Sequence, residues 1–205
     1  MLEGIAAGFI LSLGLFPGTV WLAKVGYSGA KSRVFAVAGA FALSQLVWLA
    51  VAISGVLLMT ARLSLLRTAM HGFAAFVLGY MAIKLMRTRR VEVLDDAGEL
   101  PAAATLFRST FNRALAMPMR LPTAMAVLLA TGLTVNHPSS WSTVPLVLLG
   151  AFIGVCGWWA QVALLSACFV QRVPERVTLK SLNKIRPFCG LLYCVLCVIA
   201  LLLVV

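Results

Sequence analysis

Arg120 has the residue type and the setting that point most directly at chemistry in this chain. It stands in Met117-Pro118-Met119-Arg120-Leu121-Pro122-Thr123, where two prolines bracket a cation inside a largely apolar stretch from Phe107 to Thr131. Each proline lacks an N–H and crowds the carbonyl four residues back, so a helix must bend or break there. A guanidinium in hydrocarbon costs roughly 2.5 to 3.5 kcal/mol on insertion scales unless something faces it. Arg120 either meets a ligand or snorkels to the interface. Arg113, seven residues earlier on about the same helix face, has the easier route out.

A second stretch has the same character. Phe16-Pro17-Gly18-Thr19 interrupts the apolar run from Leu2 to Ala23. In lipid, freed backbone groups persist only where protein, water or a ligand satisfies them, and broken helices near the midplane form substrate sites. The alternative is a structural kink. Gln45 and Trp48, with Trp158, Trp159 and Gln161, add amides and aromatic faces that either hold a ligand or join helices by hydrogen bonds and packing. Arg67 and His71 share one face of a further apolar stretch, and Gly4, Gly8, Gly14, Gly18, Gly150 and Gly154 have the spacing of close helix approach.

The acids are placed just as tellingly. Glu3, Glu92, Asp95, Asp96, Glu99 and Glu175 all fall at the N-terminus or between apolar segments. No carboxylate within a span is left to pair with Arg120, so the counter-charge is expected to be a substrate. Cys156, Cys168, Cys189, Cys194 and Cys197 have no metal or disulfide pattern and read as small buried hydrophobes. A phosphate-binding glycine loop and a His/Glu zinc spacing are both missing from the sequence. The expectation is no metal, no cofactor and no enzyme.

The elements that must position these residues follow from composition. With 62% hydrophobic and 11% charged residues in 205 positions and a mean hydropathy of +1.02, the sequence reads as an all-α integral membrane protein. Met1-Leu2-Glu3 lacks the basic start of a cleavable signal, so the first apolar run is expected to stay as a helix. Segments of spanning length run from Leu2 to Ala23, Val34 to Met59, Leu65 to Met86, Phe107 to Thr131, Val144 to Val170 and Pro187 to Val205, which predicts six transmembrane helices, the first and fourth broken. Thirteen of the seventeen Lys and Arg fall in or beside three connections, Lys24 to Arg33, Lys84 to Arg108 and Arg172 to Arg186. This places those connections in the cytoplasm and both termini, with the His137 loop, in the periplasm. Topology thereby accounts for the net charge of +11, and nucleic acid is not expected as a partner.

The chain reads as a single membrane domain, 1–205, made of a first half (1–87), a solvated and flexible cytoplasmic linker (88–106) and a second half (107–205). A shift of 111 positions lays Gly39-Ala40-Phe41 on Gly150-Ala151-Phe152, Trp48 on Trp159, Val51-Ala52 on Val162-Ala163 and Gly79 on Gly190. With three spans per half, such a repeat is inverted, a 3+3 architecture used by secondary transporters.

With these residues in view, the chain resembles the lysine-exporter (LysE/RhtB) superfamily of amino-acid translocators over nearly its whole length. Gly8 to Thr19 is similar to that family's first-helix proline-glycine-proline motif, with Thr19 in place of the second proline. Phe107 to Thr123 is similar to its fourth-helix region, with Met117 and Met119 flanking Pro118 where the family has Asn and Lys. Leu182-Asn183-Lys184-Ile185 followed by Gly190 is similar to its last-helix entry. The resemblance implies a gradient-driven exporter in the bacterial inner membrane, forming a homodimer. The expected function is secondary export of amino acids or related small carboxylated metabolites. Pro17, Gly18, Thr19, Gln45, Trp48, Pro118, Met119, Arg120, Pro122, Trp159 and Gln161 are the expected substrate-binding residues. The alternative is a non-transporting membrane subunit that binds a partner through its small-residue helix faces.

Overall fold

In the computed structural model the described residues are 1–27, 31–60, 64–92, 94, 100–132, 144–170 and 172–203, side chains at 57–60 and 64–67 excepted. Arg62, Asp95, Asp96, Glu99, the His137 loop and the Arg67 side chain lie outside them. The described elements are all helices: α1 Leu2–Leu13, α2 Phe16–Tyr27, α3 Lys31–Thr60, α4 Ser64–Arg87, α5 Ala103–Leu115, α6 Arg120–Ala130, α7 Val144–Cys168 and α8 Glu175–Leu202.

Four of these, α3, α4, α7 and α8, are long and apolar enough to cross a membrane, and α1 with α2 adds a fifth if the pair, bent by 66°, counts as one span. The fourth apolar segment divides differently from the expectation of a single broken span. Its apolar part, α6, has 11 residues, a rise of roughly 16 Å that falls well short of the hydrocarbon core. Its other part, α5, is amphipathic: Leu106, Thr110 and Ala114 are buried at four-residue spacing while Arg108, Asn112 and Arg113 are exposed. The last helix also differs. It begins at Glu175, twelve positions before Pro187, so the basic residues Arg176, Lys180, Lys184 and Arg186 lie on its first turns and not in a loop.

Helices in lipid gain little from mutual apolar burial, because lipid tails are as apolar as leucine; close approach over small residues is the main source of contact. Here α1 crosses α7 in that way. A Cβ added at Gly4 or Gly8 would meet the Val147 or Ala151 carbonyl, and one at Gly150 or Gly154 would meet the Met1 or Ile5 carbonyl. The two glycine pairs therefore interlock. Further packing joins α4 to α8, and α3 to α5, α6 and α7. Leu11, Leu49, Ile53, Leu78, Leu128 and Leu129 are fully buried between the helices, whereas Phe76, Phe152, Leu164, Phe188 and Leu191 point outward. An apolar exterior around a packed interior is what a bilayer accommodates.

The start of the linker is joined to α8 by hydrogen bonds. Val91 N–H donates to the Asn183 side-chain oxygen at 3.0 Å, and the Asn183 amide donates back to the Val91 carbonyl at 2.9 Å. Leu94 N–H donates to Glu175 at 2.9 Å, and Arg186 donates to the Thr88 carbonyl. Leu94 and Leu182 pack with Ala23 beneath these bonds. Residues 88–92 and Leu94 thus lie along the first turns of α8 as a strap.

Candidate functional site

The site begins with two interruptions. α1 ends at Gly14, whose N–H reaches Ile10, and the chain turns at Leu15, whose N–H reaches Ser12. Pro17 follows as the second residue of α2. Proline at the first turn of a helix gives up an N–H that has no intrahelical partner anyway, so the break precedes it. The consequence is felt upstream: Pro17 offers nothing to the Leu13 carbonyl. Gly18 and Thr19 then close the first turn of α2 onto the Leu15 carbonyl at 2.9 and 3.3 Å.

The second interruption is built similarly. α5 stops at Leu115, Pro118 stands in the gap, and α6 starts at Arg120, with Pro122 again inside the first turn. Arg120 N–H reaches the Met117 carbonyl at 3.2 Å, while the Thr123 N–H and hydroxyl both donate to the Met119 carbonyl, at 3.2 and 2.7 Å. α1 packs against α6, which brings the two breaks together.

Two cavities flank the meeting point. One, of about 250 Å³, is lined by Gly14, Lys84, Arg120, Thr123 and Tyr193 among others; the second, of about 340 Å³, is lined by Gly18, Trp21, Phe41, Thr110 and Arg113 among others. Leu15, Pro17 and Met117 line both, forming a waist between them. Among the described residues, no acidic residue lines either cavity. Arg120 is only 8% exposed, and its guanidinium approaches the Met117 sulfur at 3.9 Å. Arg113 is exposed. Arg113 and Arg120 thus both line a cavity, but Arg120 is buried and Arg113 is not.

Behind the waist lies a buried polar cluster. Gln45 on α3 accepts hydrogen bonds at Oε1 from the Ser12 hydroxyl (2.7 Å) and the Trp159 indole (2.9 Å), and its amide donates to the Leu11 carbonyl at 3.5 Å. Ser12 also lies within hydrogen-bond distance of the Gly8 carbonyl, at 2.8 Å. Phe41 stacks on Trp159 with ring centroids 4.9 Å apart. Gln45 therefore ties α1, α3 and α7 together at the broken helix, and Phe41 carries this packing to the wall of the second cavity.

The expected site residues separate into groups. Pro17, Pro118, Met119 and Arg120 line the first cavity and Gly18 the second, while Gln45 and Trp159 stand behind them. Gly18 is a packing position: an added Cβ would lie 3.0 Å from the Trp159 ring and 2.9 Å from Leu15. Thr19 and Gln161 instead line a separate apolar cavity of about 630 Å³ with Phe9, Trp158 and Phe188. Pro122 and Trp48 are half-buried and line none of the three cavities, and the Trp48 indole N–H has no hydrogen-bond partner. His71 is buried within α4.

Sequence reasoning missed Ser12, Lys84 and Tyr193. Ser12 had a signal, a lone hydroxyl between Gly8 and Gly14 on an apolar helix. Lys84 was absorbed into the topological count of basic residues. Tyr193 had none: it comes from the far end of the chain, is fully buried, and donates to the Ile10 carbonyl at 3.3 Å.

No family model matches the chain, and no curated protein or solved structure matches it.

Proposed function

We propose that this protein is a secondary exporter of amino acids or related small carboxylated metabolites in the bacterial inner membrane. The observation that carries the reading is the position of Arg120. It is a buried cation at the start of a half-helix, beside a second helix break, in a cavity that no acid among the described residues lines. Discontinuous helices meeting at a cavity are a recurrent substrate site in secondary transporters, and an arginine binds a carboxylate through paired charge-assisted hydrogen bonds. Alternating access would rock one half against the other about the waist at Leu15, Pro17 and Met117.

The packing supports the inverted 3+3 repeat within this proposal. α1 on α7 has its counterpart in α5 on α3, and α3 on α7 and α4 on α8 are each their own counterpart. Gly150 receives the backbone of α1 where Gly39, its match in the repeat, has the Phe107 ring at 3.7 Å from an added Cβ. Six spans would be completed by α5 and α6 crossing together. The distribution of Lys and Arg supports periplasmic termini and a cytoplasmic strap. A cysteine introduced at Arg90 should react with an impermeant thiol reagent only in inside-out vesicles, and labelling from the periplasm would reverse the orientation. The proposed membership of the lysine-exporter superfamily and the homodimer rest on the sequence resemblance.

The reading of a non-transporting subunit depends on free small-residue faces. Gly4, Gly8, Gly150 and Gly154 are occupied within the chain itself, which favours the transporter. The test is substrate-dependent counterflow in liposomes containing only this protein. Lack of counterflow with any amino acid or small carboxylate would return the partner-binding subunit to first place.

A further inference from the structure

Lys84 stands where a second anionic group would be read. It lies in the last turn of α4 and is exposed, with its ammonium 5.9 Å from the centre of the Tyr80 ring. It nevertheless lines the same cavity as the buried Arg120. Among the described residues the cavity thus has one cation in its wall, another at its rim, and no acid. Thr88, also at the rim, belongs to the strap held by Arg186.

We propose that the cavity selects solutes with two negative charges, an acidic amino acid or a small dicarboxylate, with Arg120 holding one carboxylate and Lys84 the other. This rests on the transporter reading above and specifies its substrate class. Charge decides the matter: a monoanion leaves one cation uncompensated, a dianion neutralises both, and a solute with a cationic side chain meets like charge at the rim. Volume agrees. About 250 Å³ has room for roughly eight water-sized groups, which suits a small metabolite and is too small for a nucleotide. An acidic amino acid also has an ammonium, and Gly14 brings the carbonyl end of α1, with its partial negative charge, to the same cavity.

The test is counterflow in liposomes with glutamate and glutamine, which are nearly isosteric and differ by one charge. Wild-type protein should exchange glutamate roughly fivefold faster than glutamine, the modest ratio expected of a solvent-exposed cation. In Lys84→Gln the ratio should fall to about one, and in Lys84→Arg it should be retained. Glutamine exchanged as fast as glutamate by the wild type, or a ratio unaltered in Lys84→Gln, would overturn the assignment of Lys84 and leave the transporter standing. Failure of the wild type to exchange any small carboxylate would remove both.

Discussion

Trp159 on α7 donates its indole N–H to the Gln45 side-chain oxygen on α3 at 2.9 Å, across 114 positions of sequence. The same oxygen accepts from Ser12 on α1, so one amide oxygen holds three helices at the point where the first of them breaks. Without that oxygen Ser12 keeps the Gly8 carbonyl at 2.8 Å, whereas the buried Trp159 indole N–H loses its acceptor, and a buried donor without a partner is costly.

Gln45→Leu should therefore lower the thermal stability of the purified protein in detergent, by roughly 1 to 3 kcal/mol for the buried indole N–H left unpaired. Adding Trp159→Phe to that background should recover part of the loss, since the orphaned donor is then gone. A melting temperature unmoved by Gln45→Leu would mean that packing, not this hydrogen bonding, joins the three helices.

Glycines on the same two helices should respond oppositely. Gly8 faces the Ala151 carbonyl with no room for a methyl, whereas Gly157 has nothing within 4 Å of an added Cβ. Gly8→Ala should cost about 1 to 3 kcal/mol or prevent folding, and Gly157→Ala should be neutral or stabilising by up to about 1 kcal/mol from helix propensity. Equal yields of folded protein from both variants would contradict the interlocked crossing of α1 and α7.

Arg120 should separate binding from folding. Arg120→Ala removes a buried cation that no acid among the described residues neutralises in the cavity, so the protein should fold normally while transport of carboxylates drops roughly tenfold or more, the value of one charge-assisted contact. Arg120→Lys, lacking the planar fork, should retain part of the rate. Undiminished transport in the alanine variant, or a clear preference of the wild type for lysine, would put the substrate elsewhere.

The strap can be tested without transport. Asn183→Ala removes both hydrogen bonds to Val91, and the Val91 amide should then exchange its hydrogen with solvent faster, with quicker proteolysis between 88 and 100. Protection at Val91 equal to wild type would show that Arg186 and Glu175 hold the segment by themselves.

Much of this protein is determined by local chemistry and was therefore readable from the sequence. Apolar runs of spanning length make the chain compatible with a membrane whatever their packing. Pro17 and Pro118 interrupt their helices because the missing N–H is a covalent fact; only the place of the break, one turn earlier than Pro17, needed coordinates, since a proline just inside a helix start leaves that helix undisturbed. The distance of Arg120 from any acid in sequence was visible too: Glu92, Asp95, Asp96 and Glu99 fall between apolar segments, and Glu3 and Glu175 stand in the first turns of α1 and α8. Tertiary structure decided the rest. Average hydropathy over Phe107 to Thr131 concealed that α5 is amphipathic and that α6 is too short to cross alone, because amphipathicity resides in which face is buried. Gln45 and Gln161 look alike in sequence, yet one is enclosed by Ser12 and Trp159 and the other faces an apolar cavity. Tyr193 and Lys84 enter the site only because α8 and α4 pack together and α6 lies against both. Such convergence depends on contacts between residues far apart in the chain, which periodicity and composition do not encode.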